Sequence, residues 1–450
     1  MSKELFGTDG IRGVAGQYPL DAPTVHAFGV ALGEVAAGMA EAPEVVLGID
    51  TRESGPWLAE HVSGGLARHG VRVQHAGVIT TPGVAYLTRT DSFVAGVMIS
   101  ASHNPYQDNG IKVFSHSGYK LDDDQERHIE QRIFATLAQG LQPVPCPLEA
   151  DPSLEVRYLE HLRSTCGRSL DGLNVIVDCG NGAASELAPE LLERLGARVQ
   201  AIASTPDGRN INLGCGALHP EALARQVPEA GADLGVAFDG DADRAIFVSR
   251  TGKVVDGDGV LLMAARWLLS QGRLKGPGSE PLVVATVMSN LGLEQALERY
   301  GVRLLRTPVG DKYVLEGMLR TGASLGGEQS GHVIFRDHAT TGDGLLTTLR
   351  VMEIISESGL GLDELTAELQ IYPQRLVNVR VRERKKLAEI PAVAGAIRAA
   401  EAAFGSAGRV LVRFSGTEPV ARVMVEGPEA RLVEAHAHLI ADAIRQELGA

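Results

Sequence analysis

Short apolar runs of strand length alternate with runs of helical spacing over most of this 450-residue chain. That alternation admits few folds, because it implies parallel sheets flanked by helices. Residues 45–49 read as a strand, 57–67 as a helix, and 71–74 and 93–99 as further strands. The rhythm returns at 173–178 and 234–238, and again at 282–287, 291–300 (helical) and 302–306. The proline-punctuated stretch 141–147 reads as a linker. The tail differs, with strands at 376–381, 410–414 and 421–425 before a strongly helical 428–448, the pattern of a small α+β domain. A chain of this length is expected to form about three or four domains.

Composition narrows the partners. A hydrophobic content of 44%, 22% charged residues and 53 glycines are those of a globular α/β protein. The formal net charge of −14 and an aromatic content of 4%, not interleaved with basic runs, argue against nucleic acid as a ligand. An anionic ligand would need a local cluster of Arg and Lys to reverse the field. The opening residues 1–7 lack an apolar signal core and no stretch reaches membrane-spanning length, so a cytoplasmic protein without a membrane partner is expected. Cys146, Cys166, Cys179 and Cys215 form no CxxC pair and are expected as free, mostly buried thiols in a reducing compartment.

The apolar run 93–99 ends in Ser100-Ala101-Ser102-His103-Asn104-Pro105, followed by an Asn109-Gly110 turn signal and Lys112. A hydroxyl at the carboxyl end of a buried strand, with His, Asn and Lys close behind, suits a nucleophile or phosphate carrier. It equally suits the first residue of an ordinary loop or a helix cap, and these residues alone leave both open. Ser102 and His103 are neighbours, which in extended chain point apart. With no GxSxG elbow either, a hydrolytic Ser–His pair is not expected. The turn Cys179-Gly180-Asn181-Gly182-Ala183-Ala184-Ser185 lacks the third glycine of a dinucleotide fingerprint and reads as a tight turn.

Asp239-Gly240-Asp241-Ala242-Asp243-Arg244 follows the strand 234–238. Three carboxylates at alternating positions form a hard oxygen cluster suited to Mg²⁺. An EF-hand is excluded, because Arg244 and Arg250 stand where that loop needs Gly and Glu. An aspartyl-phosphate nucleophile at Asp239 is the alternative. Arg12, Arg52 and Arg413 each lie in a glycine-rich turn and are candidate phosphate cations. The segment Arg413-Phe414-Ser415-Gly416-Thr417 adds two hydroxyls and an approachable amide to a guanidinium. Glu328-Gln329-Ser330-Gly331-His332 offers acceptor, hydroxyl and imidazole, as a polyhydroxylated ligand requires. Taken together, these features point to phosphoryl transfer.

With these motifs the chain resembles the α-D-phosphohexomutase superfamily, over essentially its whole length and in the family's order. Phe6-Gly7-Thr8-Asp9-Gly10-Ile11-Arg12-Gly13, Glu328-Gln329-Ser330 and Gly214-Cys215-Gly216-Ala217-Leu218-His219 are similar to its glucosamine branch rather than its mannose/glucose branch. The resemblance implies an α/β protein of three consecutive α/β domains with mixed sheets flanked by helices, plus a small C-terminal α+β domain, around a central cleft. Their expected spans are 1–150 (phosphoserine loop), 151–255 (Mg²⁺ loop), 256–370 (sugar loop) and 371–450 (phosphate loop). It implies that Ser102 carries a phosphate and, with Asp239, Asp241 and Asp243, ligates one Mg²⁺. Lys112 falls at the general base, and His103, Arg12 and Arg244 fall on active-site positions. Glu328, Ser330 and His332 match the sugar-recognition loop, and Arg413, Ser415, Gly416 and Thr417 the site of the non-reacting phosphate.

The activity implied is an intramolecular phosphotransferase of the isomerase class. It would interconvert glucosamine 6-phosphate and glucosamine 1-phosphate through a 1,6-bisphosphate, feeding amino-sugar nucleotide and cell-wall precursor synthesis. A mannose- or glucose-phosphate mutase of the same mechanism is the alternative. A catalytically silent sugar-phosphate sensor is the reading from a different class. An intermediate that turns end for end also predicts that the C-terminal domain moves to close the cleft. Sugar phosphates are the expected partners, and a homodimer is compatible with the sequence but not decided by it.

Overall fold

The computed structural model describes residues 4–7, 9–415 and 419–450. The chain divides into two compact units, Met1–Met288 with Gly301–Ala367, and Ser289–Tyr300 with Glu368–Ala450. The first unit holds three sheets. The opening sheet runs Phe6–Gly7, Gly10–Val14, Asp108–Ser115, Ala95–Ile99, Glu44–Ile49, Arg72–Val78. Its last three strands are parallel, joined through the helices Gly55–Ala67 and Thr81–Thr90. Asp108–Ser115, by contrast, runs antiparallel to Ala95–Ile99. The reason is the connection: residues 100–107 are too few for a crossover helix, so the chain must turn back.

The same device recurs twice. In the second sheet Arg198–Ile202, Asn174–Asp178 and Leu234–Phe238 are parallel, and Ala245–Ser249 returns antiparallel. In the third, Arg303–Thr307, Leu282–Thr286 and Leu325–Gly327 are parallel and Val333–Phe335 returns antiparallel. Each reversal leaves a short loop at the carboxyl end of a central parallel strand, where open α/β sheets present their ligand sites. Those loops carry Ser102, the three aspartates and Glu328. The sheets are therefore mixed rather than wholly parallel, and each reversal coincides with a motif.

Burial explains why the strands hold. Leu47, Val97, Met98, Ile99, Val236 and Phe238 are each 0% exposed, and burying such side chains stabilises by roughly 1.5–3 kcal/mol apiece. The first strand before the Ser102 loop begins at Ala95 rather than at 93, although Phe93 and Val94 are buried. The helices Ala22–Ala37 and Gly55–Ala67 cross closely because Gly29 and Gly65 face each other's backbone. A Cβ on Gly29 would lie 2.3 Å from Val62 O. The expectation of mostly buried thiols fails. Only Cys179 is buried, because Cys146 lies in the extended linker and Cys166 caps an exposed helix end.

The second unit is a three-stranded antiparallel sheet ordered Gln374–Arg380, Val420–Glu426, Arg409–Phe414. It is packed by the helices Pro391–Phe404 and Ala430–Leu448. The helix Leu291–Glu298, which follows the third sheet's strand in sequence, groups with this unit. Asn290 exchanges two hydrogen bonds with the Tyr372 backbone (2.9 and 3.0 Å), and Leu291 N donates to buried Glu426 Oε1 at 2.9 Å. Among the described residues no helix is long and apolar enough to cross a membrane.

Candidate active site

Ser102 sits in the first reversal loop with φ at 53°, the left-handed region that few residues other than glycine adopt. It is 2% exposed. Its Oγ donates to Asp239 Oδ2 at 2.5 Å and lies 3.4 Å from His103 Nδ1. Ser102 and His103 therefore do not point apart as neighbours in extended chain would, because the left-handed residue turns the backbone between them. The short contact is to the carboxylate, so the hydroxyl faces the acidic cluster.

That cluster joins three buried carboxylates, Asp239, Asp241 and Asp243, whose oxygens come within 4.8 Å of one another. The loop closes on itself by a hydrogen bond from Ala242 N to Asp239 O at 3.0 Å, with Ala242 at φ 52°. Asp241 Oδ1 and Asp243 Oδ1 are buried without a hydrogen-bond partner among the described residues. Burial, with Asp243 and Asp241 alongside, pushes the Asp239 carboxyl well above its ordinary range. Orphaned hard oxygens and mutual repulsion are what a divalent cation relieves, and an all-carboxylate donor set fits Mg²⁺.

Cations frame the cluster. Lys112 is buried and holds Asp241 Oδ2 at 2.7 Å, with Asp9 at 3.2 Å and Asp243 at 3.9 Å. Burial works against its charge, but Asp241, Asp9 and Asp243 outweigh it and keep the ammonium above a lysine's ordinary pKa. Thr81 Oγ1 donates to the same Asp241 Oδ2 at 2.5 Å. Arg12 bonds Asp9 at 2.5 Å and Ala101 O at 3.3 Å. Arg244 Nε lies 3.8 Å from Asp243 Oδ1. Both arginines keep a buried Nε without a hydrogen-bond partner among the described residues, capacity that an anion could use. Burial, with Arg244 and Arg12 nearby, pushes His103 down to about 4, so its imidazole is neutral at neutral pH.

Arg52 does not belong with these phosphate cations, contrary to the sequence reading. It is wholly buried, pairs with Asp50 at 3.1 Å, and gives three more donors to the carbonyls of Ser102, Asn104 and Asp108. Four of its five N–H donors are thus engaged within the protein, and the side chain is wholly enclosed.

In the third reversal loop Glu328 Oε1 accepts from Gly310 N at 3.0 Å, and Ser330 Oγ lies 3.5 Å from Glu328 Oε2. His332 is buried. Gly342 N donates to its Nε2 at 3.0 Å, so Nδ1 carries the proton that faces Asp243 Oδ2 at 3.5 Å. His332 thus ties the sugar-loop candidate to the aspartate cluster. In the second unit, Arg413, next to last in its strand, stands directly opposite Arg422, and Ser415 N donates to Val420 O at 2.8 Å. Burial and the neighbouring Arg422 lower the Arg413 pKa, an arrangement that favours an anionic ligand. Gly416 and Thr417 lie outside the described residues.

Sequence reasoning passed over four participants. Asp9 stands inside a motif quoted for Arg12. Lys120 binds both Asp9 and Asp311, linking the first and third sheets' loops. Thr81 opens a helix, and Arg422 is an arginine within an apolar strand. A charge stranded in an apolar run was the available signal for Arg422. Nothing local marked Lys120.

Comparison with known proteins gives a consistent picture. Residues 3–139, 156–252 and 256–372 match the phosphoglucomutase/phosphomannomutase alpha/beta/alpha domains I, II and III, and 376–443 match that family's C-terminal domain. The chain is 64% identical over 449 residues to a phosphoglucosamine mutase of Solibacter usitatus, covering 100% of both chains. It is 51% identical to a phosphoglucosamine mutase of Koribacter versatilis, covering 99% of this chain and 98% of that one. Among solved structures, a phosphoglucomutase/phosphomannomutase family protein from Burkholderia thailandensis superposes with a TM-score of 0.81 at 25% identity, covering 98% of this chain and 97% of that one. The N-acetylphosphoglucosamine mutase of Aspergillus fumigatus, solved with GlcNAc-6P and magnesium, shares the fold at 20% identity and TM-score 0.68, covering 99% of this chain and 96% of that one.

Proposed function

This chain belongs to the phosphoglucomutase/phosphomannomutase family, and from that premise we propose that it interconverts glucosamine 6-phosphate and glucosamine 1-phosphate. The observation that carries the mechanism is the 2.5 Å bond from Ser102 Oγ to Asp239. It sets a loop hydroxyl against a carboxylate cluster fit for Mg²⁺, with two partly unpartnered arginines beside it. In its working form Ser102 bears a phosphate. The free hydroxyl of the hexosamine monophosphate attacks that phosphorus, a new sugar O–P bond forms, and the Oγ–P bond breaks. The resulting 1,6-bisphosphate turns end for end and returns its other phosphoryl group to Ser102, which is phosphorylated again.

Lys112, at the general-base position, would accept the proton of the attacking hydroxyl in its neutral amine form, with neutral His103 beside Ser102 Oγ. Arg12 and Arg244 aim donors at the phosphoryl oxygens. Mg²⁺ held by Asp239, Asp241, Asp243 and the Ser102 phosphate would supply positive charge against the transferring group and draw off the carboxylate field that keeps Lys112 protonated. Glu328 and Ser330 recognise sugar hydroxyls while His332 orients Asp243. Arg413, Ser415, Gly416 and Thr417 bind the phosphate that is not reacting. Since either phosphate must occupy that place, small general donors serve it better than a selective pocket. The product would supply amino-sugar nucleotide synthesis.

Side-by-side kinetics on Ser102-phosphorylated protein test the substrate. kcat/KM for glucosamine 1-phosphate should exceed that for mannose and glucose 1-phosphates by about 10-fold or more, the scale at which one buried polar contact discriminates. A preference for the neutral hexoses would overturn the assignment. A second outcome concerns Gly240, where a Cβ would lie 2.5 Å from Ser102 O and 2.8 Å from Ile211 Cδ1. Gly240→Ala should displace the Ser102 loop and lower kcat by roughly 100-fold, since ångström-scale misplacement costs that much. Circular dichroism should stay native, and an unchanged kcat would show that the loop has room to give.

A further inference from the structure

We infer that Arg52 and Asn212 are positioning residues, which together hold the Ser102 loop in the left-handed turn that aims Oγ at the aspartates. The inference rests on the phosphoserine reading above and extends it to two residues that reach Ser102 through its backbone carbonyl rather than through the reacting hydroxyl.

The clamp is redundant at its centre. Ser102 O accepts from Arg52 Nη2 at 3.1 Å and from Asn212 Nδ2 at 2.9 Å. Asn104 O accepts from the same two atoms, at 2.7 and 3.2 Å. Arg52 Nε reaches Asp108 O at 2.8 Å, where the loop rejoins its strand, and Nη1 rests on buried Asp50 at 3.1 Å. One rigid, fully buried fork thereby fixes three carbonyls of a seven-residue span, 102–108. Only a planar guanidinium offers that set of directions, and an ammonium cannot. Ser102 at φ 53° is a conformation that must be held from outside, because an L-residue with a side chain disfavours it.

Both halves of the clamp are themselves anchored. Glu53 N donates to Gly208 O at 3.0 Å, Arg209 Nε binds Glu53 at 2.8 Å, and Thr51 Oγ1 donates to Asn181 O at 2.6 Å. Asn212 N donates to Gly180 O at 2.8 Å. The segment that follows Asn212 is the Gly214–His219 motif, to which the sequence assigned no chemistry. It is tied to the base of the aspartate loop, with Gly216 N on Asp178 Oδ2 and Ala217 N on Phe238 O, both at 2.9 Å. The same turn therefore registers the Ser102 loop against the loop that carries Asp239. Ser102 must meet the two ends of the sugar alternately, so a loosened loop slows both transfers without weakening substrate affinity.

The test uses full-length Asn212→Ala, Arg52→Lys and the double variant, charged on Ser102 with a hexose 1,6-bisphosphate and assayed beside wild type. Relative to folded protein, kcat should fall about 10-fold for Asn212→Ala and about 100-fold for Arg52→Lys, with KM within about 2-fold. The double variant should be little worse than Arg52→Lys, because both act on the same two carbonyls. A purely structural role would lower the yield of folded protein or its thermal midpoint and leave kcat per folded molecule unchanged. That result would overturn the inference. Should Arg52→Lys not fold, Asn212→Ala decides alone, since it removes no charge. Wild type inert toward both glucosamine phosphates would instead overturn the reaction reading and the inference with it.

Discussion

Replacing Ser102 with Ala should abolish mutase turnover, by at least about 10⁴-fold, while the protein stays folded. The side chain contributes its short bond to Asp239 and a long contact to His103, so its loss removes little that the fold depends on. The nearby Ser100 hydroxyl cannot substitute, because it accepts from Ser102 N at 2.9 Å within a wholly buried position. Intact-protein mass spectrometry supplies the companion measurement. Wild type should carry one phosphate that the variant lacks, and charging with a hexose 1,6-bisphosphate should leave the variant unmodified. A phosphatase with Asp239 as nucleophile predicts the opposite, since phosphate release would survive the loss of Ser102. Near-wild-type turnover in Ser102→Ala would sink the phosphoserine mechanism outright.

The second large effect concerns the carboxylates. Chelation should abolish turnover, and added Mg²⁺ should restore it. Asp241→Asn should lower kcat about 10³-fold and raise the Mg²⁺ concentration for half-maximal activity by about 10-fold or more, the cost of losing one charged ligand and its ion pair. Asp241 is the sensitive member because one oxygen serves Lys112 and Thr81 while the other is buried without a hydrogen-bond partner among the described residues. An amide there would lose the Lys112 pairing as well as a metal ligand. Thermal denaturation separates the two losses, since wild type should be stabilised by Mg²⁺ and the variant much less so. Full activity in chelator, or an Asp241→Asn enzyme with an unshifted Mg²⁺ requirement, would rule out a metal role for this cluster.

The parts of the site that could be read from the chain share one property: their chemistry is local. Asp239, Asp241 and Asp243 lie within five consecutive residues, so any compact turn brings their charges together. Ser102 was ambiguous until the rest of the chain argued for phosphate. The arginines show where local reading stops. Arg12 and Arg52 occupy similar glycine-flanked turns, yet Arg12 Nε has no hydrogen-bond partner among the described residues while Arg52 binds carbonyls 50 to 56 positions away. Lys120 joins Asp9 to Asp311 across 111 and 191 positions. No composition or spacing rule reports on pairings of that range.

Apolar periodicity by itself determined the succession of strands and helices, because each element's buried face is written in its own residues. The closeness of the three carboxylates in the Asp-rich turn was likewise set by its own composition. Only the tertiary structure decided that each sheet of the first unit reverses direction at the loop carrying a sequence motif, and which arginine keeps a donor without a hydrogen-bond partner among the described residues. Strand direction depends on how the chain returns across a sheet. The role of a buried guanidinium depends on which acceptors distant segments bring within about 3 Å of it.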